Sequence, residues 1–179
     1  MNAAAPDPPL ADEAVALRPW TDSDVDELVR CCNDPDVRRF IPVIPIPYTA
    51  EDARAFVART VMAGELNLAV TDRATGALLG AVGVGVKPWD AGMAEIGYWL
   101  APEARGRGAA TRALVLLSRW TLRQWPIGRL HLMADVDNTA SQAVAERAGF
   151  TREGVMRSGM LARGVARDHV VFSLLPGEA

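Results

Sequence analysis

The run from Met93 to Thr121 constrains the fold of this chain more than any other. An apolar segment, MAEIGYWLA (93–101), passes through PEARGRGAAT (102–111) into a stretch whose Ala110, Ala113, Leu114, Leu117 and Thr121 share one helical face. A strand that turns into a helix over two glycines and two arginines gives up packing and order, which points to a ligand. Successive backbone N–H groups at such a turn, aimed out of a helix N-terminus, make an anion site. Glycine lets the main chain approach a phosphate with no Cβ in the way. Arg105, Arg107 and Arg112 would add charge-assisted contacts at its edge. A solvated basic loop capping an ordinary helix accounts for the same residues, and local composition leaves both readings open.

Around this junction strands and helices alternate. VALRPW (15–20) reads as a first strand, and Thr21 with Asp24 forms a capping box ahead of the face Val25, Leu28, Val29 and Cys32. The following PDVRRFIPVIPIPY carries Pro35, Pro42, Pro45 and Pro47 and is expected to be neither regular helix nor central strand. Thr49 and Asp52 repeat the capping signature before Phe56, Val57 and Val61, a helical stripe ending near Gly64. LNLAVTD (66–72), ALLGAVGVGV (77–86) and MAEIGYWLA predict three antiparallel strands. RLHLMADV (129–136) is a buried strand. Residues 139–148 form a short helix closed by Gly149, with Phe150 packing back on Ala145. TREGVMRS and ARDHVVFSLLP supply two final strands. The sum is a mixed α/β sheet protein: one domain over residues 14–176 behind a flexible, Ala/Pro/Asp-rich tail over 1–13.

Composition narrows the function. At 179 residues the chain is large enough to bury a real core, and no apolar run approaches membrane-spanning length. The N-terminus lacks the basic and apolar regions of a signal peptide. Cys31 and Cys32 are adjacent, poor geometry for a bridge, and point to a reducing, cytoplasmic compartment. The net charge of −3 hides an asymmetry: residues 1–95 hold 8 basic and 15 acidic side chains, residues 96–179 hold 11 and 7. A basic half suits a small polyanion and an acidic half a cation. No dense basic stripe interleaved with aromatics argues for nucleic acid. His131 and His169 have no ligand-like spacing around them, so no metal is expected.

Two phosphate motifs fail. No Gly-Lys-Ser/Thr of a P-loop is present, and the near-match Gly106-Arg107-Gly108-Ala109-Ala110-Thr111 lacks the third glycine of a dinucleotide fingerprint. The acid due about 20 residues later is missing too. A third pattern fits. Arg105-x-x-Gly108-x-Ala110, after a strand and before an apolar helix, resembles the acyl-CoA pyrophosphate motif Gln/Arg-x-x-Gly-x-Gly/Ala of GNAT acetyltransferases. Downstream, DVDNTASQAVAERAGFTREGVMR resembles the family's second signature, in which Asn opens a helix and Gly-Phe closes it. VALRPWTDSDVDELVRCCNDPDVRRFIP, PYTAEDARAFV and DHVVFSLL resemble the RimJ/RimL-type protein N-terminal acetyltransferases, and the likeness covers residues 14–176.

The resemblance implies a GNAT fold, a mixed and mostly antiparallel sheet flanked by helices and splayed between two central parallel strands, here 93–101 and 129–136. It implies acetyl-CoA as cosubstrate. Backbone groups at Leu100 and Ala101 would pair with its pantetheine arm, and main-chain N–H groups of Arg105, Gly106, Arg107, Gly108, Ala109, Ala110 and Thr111 would hold its pyrophosphate. Asn138 would reach the pantetheine from the other side, or would simply cap its helix. The family's general-acid Tyr corresponds to Ala145 here, so Ser141, one turn after Asn138, is the candidate that reaches the sulfur, although a polar first-turn residue needs no such role.

Amine acetylation requires a neutral amine, a polarised thioester carbonyl and a route to protonate the leaving thiolate. Glu95, in an otherwise apolar strand, is the candidate base, acting through water; an exposed or salt-bridged Glu is the alternative. Strand alternation puts Glu95, Gly97 and Trp99 on one face as an acceptor wall and sends Tyr98 to the other, toward the core. Phe40 and Ile44, in the proline-rich segment, are expected to shape the acceptor cleft, and Asp34, Asp36, Glu51 and Asp52 around it would favour a cationic amine. Glu153 and Asp168 could bind such a substrate or pair with Arg152 or Arg167. The expected activity is acetyl transfer from acetyl-CoA to a primary amine, a protein N-terminus or a small molecule, by direct attack. A non-catalytic acyl-CoA-binding module is the alternative, and either a monomer or a homodimer is compatible.

Overall fold

A computed structural model describes residues 5–59, 61–62, 64–86 and 92–178. The first half runs β1 (Leu10–Ala11), β2 (Val15–Arg18), α1 (Val25–Cys32), α2 (Pro35–Phe40), α3 (Ala50–Ala58), β3 (Val61–Met62), β4 (Glu65–Asp72) and β5 (Leu78–Gly85). The second runs β6 (Met93–Leu100), α4 (Ala109–Gln124), β7 (Arg129–Asp135), α5 (Thr139–Arg147), β8 (Thr151–Ala162) and β9 (Val165–Leu174). The strands form one sheet in the order β1-β2-β4-β5-β6-β7-β9-β8, with β3 on β4.

Among the described residues every pairing is antiparallel except β6 with β7. A parallel pair needs a long crossover, and α4 supplies it. Ala113, Leu114 and Leu117 of α4 are fully buried, packed on the sheet with Leu66, Leu68, Val82 and Ile96. Each buried leucine contributes about 1.5–3 kcal/mol of transfer free energy. On the opposite face, Leu28, Cys32, Val37, Tyr48 and Ala53 from the α1–α3 region pack on Trp20, Ala69 and Ala81. Covered on both sides, β4 is buried almost continuously from Leu66 to Thr71.

The parallel pairing is short. It runs from Met93 opposite Arg129 to Glu95 opposite His131 and stops, although β6 continues to Leu100 and β7 to Asp135. The two strands therefore part in mid-sheet, and the gap opens beside the N-termini of α4 and α5.

Three expectations need correction. Residues 35–40 are helical, because Pro35 occupies the first helical position, where its missing N–H is no loss, and the Asp34 carboxylate caps the turn by accepting the Val37 N–H at 3.1 Å. The α3 stripe ends at Ala58, and Val61 belongs to β3, opposite Leu66. Residues 10–12 do not belong to a flexible tail: Leu10–Ala11 pairs with β2, and Asp12 accepts the Ala14 and Val15 N–H groups. Most of the turn KPWDAG lies outside the described residues. The last two strands extend into one long hairpin whose two-residue turn, Arg163-Gly164, has positive φ at both positions (49° and 82°), as a type I′ turn requires.

Candidate active site

The gap between β6 and β7 is the floor of a cleft of about 430 Å³. One wall is the turn leading into α4, another is the start of α5, and the third is α2 with Ile41. Each follows from local sequence.

The turn sits where an anion would need it. Gly106 and Gly108 have φ of +74° and +80°, a left-handed conformation that side chains with a Cβ rarely adopt. A Cβ built on either meets nothing within 4 Å, so the space before the backbone is open. Gly108 is also the residue that precedes α4, and it offers no side chain to cap it. The first helical N–H to close internally is that of Arg112, onto Gly108 O at 3.1 Å, which leaves the Ala109, Ala110 and Thr111 N–H groups without a partner in the helix. Thr111 Oγ1 is buried with no hydrogen-bond partner among the described residues. Gly106, Gly108, Ala110 and Thr111 line the cleft, while the Ala109 side chain is buried in the core.

The arginines behave otherwise than expected. Arg105 donates to Asp34 Oδ1 at 2.6 Å and to Asp36 Oδ2 at 2.9 Å, and its Nε to Leu100 O at 3.4 Å. Arg112 is paired with Asp12 at 2.9 Å and with Glu13. Arg107 lies outside the cleft, in a separate groove with Asp72, Glu27 and Glu103. Two of the three guanidinium groups are thus neutralised by the protein's own carboxylates. The positive character of the turn comes from its backbone and the α4 N-terminus.

On the floor, the N–H of Ala101 donates to Leu79 O at 2.9 Å, so it faces β5, and its side chain is fully buried. The N–H and side chain of Ala101 therefore face away from the cleft. By the alternation of an antiparallel ladder, the peptide groups of Tyr98 and Leu100 face the other way, toward the edge that β7 has vacated. Leu100 lines the cleft.

Across the gap, Asn138 caps α5, its Oδ1 accepting the Ser141 N–H at 3.1 Å. Both residues line the cleft, and among the described residues the Asn138 Nδ2 donates to no protein group. Ser141 Oγ accepts a hydrogen bond from Tyr98 Oη at 3.0 Å. Tyr98 does point away from the Glu95 face, as alternation requires, but it reaches the cleft rather than ending in the core. Sequence reasoning missed it because only the parting of β7 exposes that face. Burial pushes its phenol above the ordinary value, against smaller opposing effects of the Ser141 bond and the Arg147 charge. Ala145 is fully buried.

Glu95 stands at the last paired position before the strands part, with its carboxylate 4.0 Å from His131 Nε2 and its side chain one-third exposed. It lies below the cleft rather than among its lining residues. Gly97, next on the same face, is exposed and has nothing within 4 Å of its absent Cβ, which leaves a passage from Glu95 toward Trp99. Trp99 lines the cleft and stacks on Trp20, ring centroids 6.4 Å apart at 26°.

The acceptor wall is α2. Val37, Phe40 and Ile41 line the cleft, and the Arg39 guanidinium sits 4.9 Å from the Phe40 ring centroid. Ile44 does not line it: it is buried in the α1–α3 core, and its carbonyl accepts from Arg163 at the hairpin tip at 3.2 Å. Three of the four acids expected to attract a cation are occupied. Asp34 and Asp36 hold Arg105, and Asp52 accepts the Thr49 N–H at 2.8 Å. Burial works against the Asp34 charge, but the hydrogen bonds from Arg105 and the Val37 N–H prevail and hold its carboxyl below the ordinary value. Glu153 pairs with Arg129 and Ser173 rather than Arg152, and Asp168 accepts the Ser158 N–H at 2.8 Å while Arg167 binds Asp135 and Asp137.

Comparison with known proteins agrees with this geometry. Residues 15–151 match the acetyltransferase (GNAT) domain family. YdaF from Bacillus subtilis, which bears the name "putative ribosomal N-acetyltransferase", is 41% identical over 85 residues, which is 48% of this chain and 46% of that one. Protein p20 of Bacillus licheniformis, named as an uncharacterized N-acetyltransferase, is 27% identical over 94% of this chain and 97% of its own. The fold matches that of RimL, a ribosomal L7/L12 alpha-N-protein acetyltransferase solved with coenzyme A, at a TM-score of 0.80 and 23% identity, over 93% of this chain and 97% of that one. Among the described residues no helix is long and apolar enough to cross a membrane. The chain belongs to the GNAT family of acetyl-CoA-dependent acetyltransferases.

Proposed function

We propose that this enzyme acetylates a primary amine at a protein or peptide N-terminus by direct attack on the acetyl-CoA thioester. The observation that carries the reading is the parted β6–β7 edge beside a glycine turn with open N–H groups. The peptide edges of Tyr98 and Leu100 pair with the pantetheine amides as an added strand would. The N–H groups from Gly106 to Thr111 hold the pyrophosphate, and Asn138 Nδ2 donates to the pantetheine from the α5 side.

The chemistry then proceeds where the pantetheine ends. The amine nitrogen attacks the carbonyl carbon, its N–C bond forms, and the C–S bond breaks. The proton lost by the amine leaves through water in the passage beside Gly97 to Glu95, and the sulfur takes up a proton, so none is consumed overall. The Ser141 hydroxyl donates to the sulfur as charge develops there.

The names of YdaF and RimL favour a ribosomal-protein N-terminus as acceptor. The wall supports the same choice. Val37, Phe40, Ile41 and Trp99 are apolar, and the neighbouring Asp36 and Asp137 already hold arginines, so a polycation finds no free carboxylate there. Thiol release from acetyl-CoA across a panel of peptides, aminoglycosides and polyamines tests the reading. Turnover with neutral-side-chain peptide N-termini is expected. Turnover with polyamines alone would reverse the assignment, and none with any amine would favour an acyl-CoA-binding module.

A further inference from the structure

Ser141 is a weak donor by itself, and the structure shows what acts on it. Tyr98 is the third β6 residue beyond the last pair with β7, so its side chain leaves the sheet where the gap has opened. The ring packs on the α4–α5 core, and its hydroxyl crosses the gap to Ser141 Oγ, 43 residues away in sequence, at 3.0 Å. Ser141 is thereby held twice: its N–H by Asn138 Oδ1 at 3.1 Å and its oxygen by Tyr98. A serine hydroxyl has one hydrogen. With Tyr98 donating to the oxygen, that hydrogen must point elsewhere, and among the described residues no protein acceptor takes it. Both residues line the cleft.

We propose that Tyr98 is a positioning residue that turns the Ser141 hydroxyl hydrogen into the cleft, toward the departing coenzyme A sulfur, and strengthens it as a donor. The inference rests on the transfer reaction proposed above. Accepting a hydrogen bond polarises a hydroxyl and makes its own O–H a better donor, an effect enlarged in a partly buried site. Burial raises the Tyr98 phenol above its ordinary value, so it carries the proton that it donates to Ser141. The pair gives the cleft a hydroxyl donor on a route different from a tyrosine at the Ala145 position.

A double-mutant cycle read by single-turnover kinetics separates this role from simple packing. Tyr98→Phe keeps the ring and deletes only Oη. It should lower the acetyl-transfer rate about tenfold, part of the roughly 10²–10⁴-fold that a proton-transfer group supplies, with the Kd for acetyl-CoA unchanged within about twofold. Ser141→Ala should cost at least as much, and Tyr98→Phe added to Ser141→Ala should cost nothing further. Equal losses from Tyr98→Phe in both backgrounds would assign it to packing and overturn the proposal. So would a wild-type rate for Tyr98→Phe while Ser141→Ala is impaired, which leaves the Ser141 role standing. A wild-type rate for Ser141→Ala would remove the donor role of Ser141 as well as this inference. Wild-type protein with no transfer to any amine would instead refute the proposed reaction.

Discussion

The turn from Arg105 to Thr111 and the wall from Asp36 to Ile41 flank one cleft, yet they are organised by different means. In the turn, the groups that meet the cleft are main-chain N–H groups, fixed by two left-handed glycines and an uncapped helix. In the wall, they are side chains, placed by a capped helix and by contacts that arrive from far along the sequence. Arg105 joins the two, because its backbone belongs to the turn and its guanidinium to Asp36 of the wall and to Asp34, which caps the wall's helix. A site built from backbone tolerates change in side chains that point away from it. One built from side chains does not.

That contrast can be broken by mutation. The largest effect should come from Glu95→Gln, which preserves shape but removes proton acceptance. It should lower kcat by about 10²–10³ while acetyl-CoA affinity stays the same, and the loss should shrink at high pH as the amine deprotonates in solution. A mutant with the wild-type rate at neutral pH would show that another group, or none, serves as base. Phe40→Ala comes next. It should raise the acceptor KM about tenfold, the scale of the roughly 1–3 kcal/mol that fit in an apolar pocket supplies, with little change in the KM for acetyl-CoA. Equal effects on both substrates would erase the distinction between turn and wall.

Arg105→Gln sharpens it. If the guanidinium serves the wall, acetyl-CoA affinity should change by less than twofold and the acceptor KM should rise two- to fivefold, as expected for partly exposed ion pairs worth about 0.2–1 kcal/mol. A tenfold loss of acetyl-CoA affinity would mean that Arg105 leaves Asp34 and Asp36 for the phosphates. Ile44→Ala should have the smallest kinetic effect. It should lower Tm through a buried cavity, about 2–5 kcal/mol, and leave both KM values unchanged per folded molecule. A rise in acceptor KM would restore Ile44 to the cleft surface.

Legibility in the sequence divides along the same line. The strand, the two glycines and the α4 stripe are contiguous, so the turn could be read from residues 93–121. The α2 helix was hidden because Pro35 looked like a breaker, whereas at the first helical position it starts the helix. Alternation put Tyr98 on the correct face but could not say that β7 would leave that face open. The pairs Arg105–Asp34, Arg112–Asp12 and Arg163–Ile44 span 71, 100 and 119 residues, and no local signal announces them. The acidic N-terminal half consequently looked free to attract a cation, when its nearest carboxylates were already paired.

The central claim is that the backbone of this turn, rather than its arginines, holds the pyrophosphate. Calorimetric binding of acetyl-CoA and of S-acetylpantetheine, which lacks the pyrophosphate and the 3′-phosphoadenosine beyond it, to the wild type and to Gly108→Val tests it directly. Valine would put a Cβ into the open space before the turn and strain a φ of +80°. The account predicts that wild-type protein binds acetyl-CoA at least tenfold more tightly than S-acetylpantetheine, about 1.4 kcal/mol or more. Folded Gly108→Val should lose that difference while its weak binding of S-acetylpantetheine persists. Unchanged acetyl-CoA affinity in the folded variant, or an equal loss for both ligands, would contradict it.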